Sequence, residues 1–442
     1  MSFLGVNNMM DKYKSYKSSG ADWIGDIPEQ WDVSKLKWHL KRIEPRNPGG
    51  VQVLSLYREH GIVPKDSRND NHNVTSEDTS NYKYVEPGDF VVNKMKAWQG
   101  SVAVSEYEGI VSPAYYVYHF TDDCFERKYF HYLMRGCYKE EFMRLSGGIR
   151  IGQWDLPGDA LNNVLVIVPP KHEQKYIVEY LDEKVSEIDR LIDETNVSIE
   201  DYKKLKASVI FEKVTKGISS KSRLVDSGIE WFGDIPENWD VCKTLFVLDM
   251  PITDGPHTTP TLYDEGVPFV SAEAVSCGNG SIDFSHIRGY ISEEFYEECC
   301  QKYIPKINDI YMIKSGATTG KVSVVETDKK FTIWSPLAVF RSNEDRMYYR
   351  YLFYFLQSDA YQKQVQLGWT YGTQQNIGMR TLEKLKVCVP PLSEQRDIAD
   401  YLDQKCAVLD YLISEKESLV EDLDKYKKSL IFDVVTGKRK VV

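Results

Sequence analysis

Two long stretches of the chain carry apolar residues at helical spacing. Between His172 and about Lys213 there is no proline or glycine, and apolar residues recur every three or four positions, as in an amphipathic helix with near-heptad spacing. About 40 residues at about 1.5 Å each give a rod of about 60 Å. The apolar positions are Ile177, Leu181, Val185, Ile188, Leu191, Tyr202, Leu205 and Val209 in the first stretch, and Ile398, Leu402, Leu409, Leu412, Leu419, Leu423, Tyr426 and Leu430 in the second.

Each helical stretch opens just after a Pro-Pro pair, where the fixed φ of proline and its missing N–H suit a chain that enters a helix. A single helix could bury such a stripe against its own domain. Since two matching rods occur in one chain, we favour the alternative that they pack on each other as a coiled coil.

The regions 20–167 and 220–388 alternate short apolar runs with Gly, Pro, Asn and Asp. This pattern is typical of strands joined by turns. One helical stretch interrupts each region, near Phe125–Leu145 and Met347–Gln366. Each region is therefore predicted to be a compact α/β domain on a twisted mixed sheet.

The chain repeats itself. SGADWIGDIPEQWDVSK from Ser19 and SGIEWFGDIPENWDVCK from Ser227 agree at twelve of seventeen positions, at an offset of 208. VPPKHEQKYIVEYLDEK from Val168 matches VPPLSEQRDIADYLDQK from Val389 at an offset of 221. Such a duplication predicts halves related by a pseudo-twofold axis. Because Trp23, Trp31, Trp231 and Trp239 repeat with the frame, we interpret them as structural anchors.

Between these motifs the halves diverge. The remaining weak matches are Gly88-Asp89-Phe90 with Asn308-Asp309-Ile310, Lys94 with Lys314, Gly100 with Gly320, Ser112-Pro113 with Ser335-Pro336, and Tyr132-Leu133 with Tyr351-Leu352. One fold is thus expected to be used twice with two different surfaces.

The predicted fold class is α+β, with two similar α/β domains on twisted mixed sheets, separated by two long coiled-coil helices in a pseudo-twofold repeat. The predicted boundaries are 1–19 for an N-terminal segment, 20–167 for domain 1, 168–219 for the central helix, 220–388 for domain 2 and 389–442 for the C-terminal helix.

Composition narrows the class of protein. The eight cysteines form no C-x-x-C pair, the start lacks the pattern of a signal peptide, and no apolar run approaches the roughly 18 residues of a membrane span. A cytoplasmic protein is expected. The net charge of -11 argues against a nucleic-acid binder that acts alone, because such domains usually carry a basic excess. Partner subunits are expected to supply part of the phosphate contacts.

The sequence shows no catalytic constellation. Gly316–Lys321 resembles a phosphate loop, but it has three residues between its glycines instead of four, and valine follows the lysine. The acid-x-Lys triplets, such as Asp182-Glu183-Lys184, lie on the charged helix face with no second carboxylate to share a metal. No histidine spacing fits a metal site. The chain is therefore predicted to be non-catalytic.

The polar, glycine-bearing loops of both domains could instead read DNA. Arg and Lys can bond guanine, Gln and Asn can bond adenine, and Thr methyls can contact thymine, while Lys and Ser can hold phosphates. Ordinary surface loops are the alternative. The candidate residues are Lys94, Lys96, Trp98, Gln99, Arg150, Gln153 and Trp154 in domain 1, and His257, Thr258, Thr259, Lys314, Ser315, Thr318, Thr319, Lys321, Trp369, Tyr371, Thr373, Gln374, Gln375 and Asn376 in domain 2.

The order of motifs resembles the specificity subunit of type I restriction-modification systems. Two W-[IF]-G-D-I-P-E-x-W motifs are each followed by a divergent region, V-P-P-x-x-E-Q and a long helix that ends in S-x-I-F. This resemblance covers essentially the whole chain. It implies that each divergent region is a target recognition domain for one half of a bipartite site in double-stranded DNA.

The resemblance also implies partners. The two long helices would pack antiparallel, as a spacer and as the docking site for two methyltransferase subunits, and restriction/translocase subunits would join them. S-adenosylmethionine, ATP and magnesium would belong to those partners, and this chain would bind no cofactor or metal. Two alternatives stay open: a specificity chain for a fused methyltransferase-nuclease, and a protein-interaction scaffold that does not bind DNA.

Overall fold

The computed structural model describes residues 12–58, 60–67, 78–148, 154–219, 222–371 and 375–441. The chain forms two compact units, Met1–Thr195 with Ser418–Val442, and Asn196–Glu417. Each unit therefore combines one α/β domain with parts of both long helices. In the described part of the chain, no helix is long and apolar enough to cross a membrane.

The α/β domain of unit 1 is built on a four-stranded antiparallel sheet in the order β4-β11-β8-β9. Its strands are β1 (Tyr16–Ser18), β2 (Asp26–Pro28), β3 (Asp32–Lys35), β4 (Leu40–Ile43), β5 (Leu54–Tyr57), β6 (Gly61–Pro64), β7 (Lys83–Val85), β8 (Phe90–Asn93), β9 (Val102–Val104), β10 (Gly109–Val111), β11 (Tyr115–Phe120) and β12 (Leu165–Val168). The helices are α1 (Arg127–Cys137), α2 (Lys139–Leu145) and α3 (Gly158–Asn162), followed by α4 (Lys171–Lys216).

Unit 2 repeats this sheet as β16-β22-β19-β20, again antiparallel. Its strands are β13 (Leu224–Asp226), β14 (Asp234–Pro236), β15 (Asp240–Lys243), β16 (Thr253–Asp254), β17 (Val267–Val270), β18 (Tyr290–Ile291), β19 (Ile310–Ile313), β20 (Val322–Val324), β21 (Thr332–Ile333), β22 (Leu337–Phe340), β23 (Thr370–Tyr371), β24 (Gln375–Asn376) and β25 (Lys386–Val389). The helices are α5 (Ala272–Cys277), α6 (Glu293–Cys300), α7 (Tyr349–Gln357), α8 (Asp359–Leu367), α9 (Met379–Leu382) and α10 (Leu392–Val435). Parallel pairing enters through β17 and β21 in a side sheet.

The two predicted rods are continuous helices of 46 residues in α4 and 44 residues in α10. In unit 2, Lys206 Nζ lies 2.6 Å from Asp410 and Lys203 Nζ lies 3.9 Å from Glu417. Residue numbers therefore fall along α4 as they rise along α10, which means that the helices are antiparallel. In unit 1, the ammonium group of Lys427 lies 2.5 Å from Asp189. The predicted fold class is confirmed.

The core of each α/β domain is formed by three layers, which are the central sheet, a pair of short helices and the long helices. The central strands β8 and β19 are fully buried, and the helix pairs α1–α2 and α7–α8 pack on them beside the long helices. In unit 1 the rings of Phe90 on β8 and Phe130 on α1 are 5.1 Å apart in an edge-to-face contact, a favoured geometry for aromatic pairs. This core fixes the loops at the ends of the central strands.

Candidate nucleic-acid interface

In both units a lysine follows a buried central strand, β8 or β19. The main-chain carbonyl of this lysine accepts a hydrogen bond from a second polar loop. The carbonyl of Lys94 accepts a hydrogen bond from Leu156 N–H at 3.0 Å, and that of Lys314 accepts one from Ile377 N–H at 2.9 Å. The turn after the strand and the second candidate loop thus meet at the same place in each domain. The sheet and helix scaffold beneath them fixes their position.

In unit 1, paired tryptophans and an ion pair hold the two loops together. The rings of Trp98 and Trp154 lie 5.5 Å apart, and Lys94 Nζ lies 3.0 Å from Asp155. All four residues are partly exposed. A flat aromatic surface beside a cation can contact a base and a phosphate together.

The other candidates of unit 1 are Lys96, Gln99, Arg150 and Gln153. Lys96 is exposed, and the Gln99 side chain accepts a hydrogen bond of 2.9 Å from Arg58. Arg150 and Gln153 lie outside the described residues.

In unit 2, the second loop is joined to the turn by two further main-chain contacts. Gly316 N–H donates to the carbonyl of Gln375 at 3.0 Å, and Ser315 forms a β-bridge with Asn376. Since the main chain of β24 makes these contacts, the exposed side chains of Gln375 and Asn376 are presented on a fixed strand. An amide on a rigid strand can form the bidentate bond that reads adenine.

One polar side chain of the turn after β19 forms a hydrogen bond within the turn itself. The Thr319 hydroxyl donates to the carbonyl of Gly316 at 2.7 Å, which shows a structural role for that side chain. Thr318 is partly exposed and Lys321 is exposed. Lys321 Nζ lies 3.5 Å from the carbonyl of Ser276.

Trp369 packs against the core of unit 2. Its indole nitrogen is buried and has no hydrogen-bond partner among the described residues. This packing favours a structural role. The side chain of Tyr371 and the residues Thr373 and Gln374 lie outside the described residues.

Asp254, at the end of β16, lies close to three basic side chains that come from different parts of the sequence. Its carboxylate lies 3.3 Å from Lys314 Nζ and 3.2 Å from His257 Nε2, and it also contacts the ammonium group of Lys302. The segment His257–Thr259 is exposed. Sequence reasoning missed Lys302 and its pairing with Asp254, because the two residues are 48 positions apart and no pattern joins them.

Two buried tryptophans anchor each domain to its long helix. Trp31 Nε1 donates to Glu173 at 3.0 Å, and Trp239 Nε1 donates to Glu394 at 3.0 Å. In each unit, the second tryptophan of the W-[IF]-G-D-I-P-E-x-W motif therefore contacts the glutamate of the P-P-x-x-E-Q motif. The anchoring role predicted for these two tryptophans is confirmed.

The glutamine of P-P-x-x-E-Q fixes the start of each long helix. Gln174 accepts the main-chain N–H of Glu126 at 2.7 Å, and Gln395 accepts that of Tyr348 at 2.7 Å. Both amide groups donate to the carbonyl of the first proline of the Pro-Pro pair at 2.8 Å. A repeated side chain thus satisfies polar groups left open at a helix entrance.

The register between α1 and α7 differs from the sequence match proposed above. Tyr129 OH donates to the carbonyl of Val435 at 2.9 Å, and Tyr351 OH donates to that of Val214 at 2.9 Å. Tyr129, and not Tyr132, is therefore the counterpart of Tyr351. The match failed because both helices are rich in tyrosine, so a shift by nearly one turn still aligns tyrosine with tyrosine.

Two groups of side chains in the described residues have the spacing of metal ligands, namely His39, Asp122 and Cys124, and Glu86, Asp89 and His119. In the first group the His39 ring bonds Asp122 and Ser34 at 2.7 Å each. In the second, His119 lies 2.9 Å from Asp89. These contacts account for both groups as hydrogen-bonded pairs.

Comparison with known proteins identifies the family. The model of the type I restriction modification DNA specificity domain matches residues 28–201 and again 256–421. The chain belongs to this family. It is 25% identical to the putative type I restriction enzyme MjaX specificity subunit of Methanocaldococcus jannaschii, over 95% of this chain and 96% of the relative. It is 24% identical to the MjaVIII specificity subunit of the same organism, over 94% of each chain.

A solved structure supports the fold of this specificity subunit. A chain from a study of assembly and conformational transition in the type I R-M system superimposes with a TM-score of 0.68 at 17% identity, over 93% of this chain and 99% of that chain. The two matched specificity domains cover the loops that follow β8 and β19. The function of the family is DNA sequence recognition.

Proposed function

We propose that the two α/β domains read the two halves of a bipartite DNA site through the loops that follow β8 and β19. The observation that carries this proposal is that both domains join a turn and a second loop by the same main-chain bonds, at Lys94 and Lys314, while the side chains on those loops differ. A shared scaffold with different contents is what two different half-sites require.

Within this proposal, the candidate residues differ in role. Lys96 and Lys314 hold phosphates, which positions the domain without reading sequence. Gln375 and Asn376 read base edges from β24. In domain 1, Trp98 and Trp154 offer stacking surfaces, and Arg150 and Gln153 stay candidates for base contacts.

The chain itself is proposed to be non-catalytic and to act in the cytoplasm with partner subunits. Two methyltransferase subunits would dock on the long helices, since the same Trp-Glu and Gln contacts occur at the start of α4 and of α10. Restriction/translocase subunits would complete the assembly. S-adenosylmethionine, ATP and magnesium would be bound by those partners. The net charge of -11 supports shared phosphate contacts.

Mapping of methylated adenines tests this proposal. The chain is expressed with its neighbouring methyltransferase gene in a host that lacks adenine methylation, and the methylated sites are sequenced. We expect one motif with two specified ends and an unspecified gap. A control with the methyltransferase alone should show no such motif. Sequence-independent methylation with the chain present would contradict the proposal.

A further inference from the structure

Asp254 is a buried carboxylate that faces three basic side chains from separate segments. Its side chain is 1% exposed. Lys302 follows the end of α6, Lys314 follows β19, and His257 lies in the loop after β16. Among the described residues, Oδ2 has no hydrogen-bond partner, so its contacts of 3.2 and 3.3 Å with His257 and Lys314 are electrostatic.

The cluster itself holds more basic side chains than carboxylates, and Glu298 also lines the cavity beside it. Two ammonium groups face one carboxylate, and each ammonium has three N–H donors, of which Asp254 can occupy one. The side chains of Lys302 and His257 are 50% and 73% exposed. A cavity of about 480 Å³ opens beside Asp254 and Lys302. The carboxylate thus fixes the inner side of the cluster and leaves donors of Lys302 and His257 that solvent can reach, whereas the side chain of Lys314 is 12% exposed.

We propose that His257, Lys302 and Lys314 form a binding site for one DNA backbone phosphate, and that Asp254 is the positioning residue that holds them in place. This inference rests on the proposed function and adds a specific contact to it. A preordered cluster loses less side-chain entropy on binding. In unit 1 the lysine at this place is held by Asp155 of the second loop instead.

A scan with neutral phosphate linkages tests the site. The complex with the methyltransferase is titrated with duplexes that carry its mapped motif, and single phosphates of the second half-site are replaced by methylphosphonates. We expect one linkage at which wild-type affinity falls about tenfold. Lys302→Gln should lose affinity for the unmodified duplex and lose little more at that linkage.

Lys306→Gln is the matched control, because it removes the same charge from an exposed side chain four residues away. This variant should keep the full loss at the sensitive linkage. If Lys302→Gln showed the wild-type loss at every linkage, the phosphate site would be wrong.

Asp254→Asn separates positioning from simple charge neutralisation. If Asp254 positions the cluster, the ratio of affinities for the motif duplex and for an unrelated duplex should fall about tenfold, with the unrelated duplex bound as well as before or better. If Asp254 only neutralised charge, both affinities would rise equally, which would refute a positioning role. Thermal unfolding of the variant sets the assay temperature, and the Lys302→Gln scan decides the outcome if the variant does not fold.

The linkage scan distinguishes a failure of the phosphate site from a failure of the proposed function. A wild-type complex without sequence preference would refute both. A wild-type complex that prefers its motif but shows no linkage sensitive to Lys302→Gln would refute only the phosphate site.

Discussion

Gln375 has an exposed side chain on β24, and its main-chain carbonyl is bonded to Gly316. Gln375→Ala should relax one base position of the second half-site, at a cost of about 1–3 kcal/mol in discrimination. The measurement is the affinity of the methyltransferase complex for duplexes that vary at each motif position. Gln366→Ala, an exposed glutamine on α8, is the control and should change nothing. Equal weakening for all duplexes would contradict a base contact.

His131 on α1 gives unit 1 a sensitivity to acid. Desolvation lowers the pKa of its imidazole to about 4, and the neutral ring accepts the N–H of Val104 at Nδ1. The unfolded chain, with an ordinary pKa of about 6.5, binds this proton at higher pH than the folded chain. Stability should therefore fall by about 1–3 kcal/mol between pH 6.5 and 4. His131→Asn keeps an acceptor and does not titrate, so denaturant unfolding of this variant should depend less steeply on pH in that window. An unchanged slope would contradict the assignment.

At the residue scale, the sequence best predicts which positions of the two halves are equivalent. It predicts contacts between distant residues least well. Lys94 and Lys314 were singled out correctly as equivalent positions, because each follows a buried run of apolar residues. The cluster of Asp254 with Lys302 could not be predicted, since only the tertiary fold brings the end of β16 close to the residue that follows α6. Thr319 stays a candidate for a DNA contact through its methyl group, and its hydroxyl also closes a turn, which residue type alone does not reveal.

At the scale of the elements, the starts of α4 and α10 make the same Trp–Glu hydrogen bond, but the two glutamates differ in burial and in their other partners. Glu173 is 6% exposed and accepts from Trp31, Tyr13 and Gln30. Glu394 is partly exposed and accepts from Trp239. Because a lost acceptor leaves buried donors unsatisfied, Glu173→Ala should destabilise by about 2–4 kcal/mol and Glu394→Ala by about 1–2 kcal/mol. Urea unfolding of both variants measures this, and equal costs would contradict the account.

The elements themselves were largely predictable where one physical cause dominates. The long helices follow from an uninterrupted apolar stripe, and the end of α4, predicted near Lys213, lies three residues later at Lys216. The helical stretches near Phe125 and Met347 each break into two helices, α1–α2 and α7–α8, at positions that hydrophobic spacing does not mark. Antiparallel order in the central sheets depends on which strands are neighbours, and a single sequence does not show that.

At the scale of the whole molecule, helix length should set the gap between half-sites. Inserting one heptad near Thr195 and another near Lys416 keeps the apolar stripe in register and adds about 10 Å of rod. The unspecified gap should widen by about 3 bp, with lower affinity because the second half-site also turns by about 100° around the DNA axis. Methylated-site mapping of the variant reads the gap directly. A heptad in one helix only should abolish activity, and an unchanged gap in an active double insertion would contradict the spacer role.

The central claim is that the two α/β domains read DNA independently, and a domain exchange tests it most directly. Residues 20–167 are replaced by the corresponding region of another member of the family, and methylated adenines are mapped in cells that express the hybrid with the same methyltransferase. The account predicts a motif with one half changed, the other half retained and the gap unchanged. A hybrid that methylates efficiently with both halves changed, or with neither changed, would contradict it.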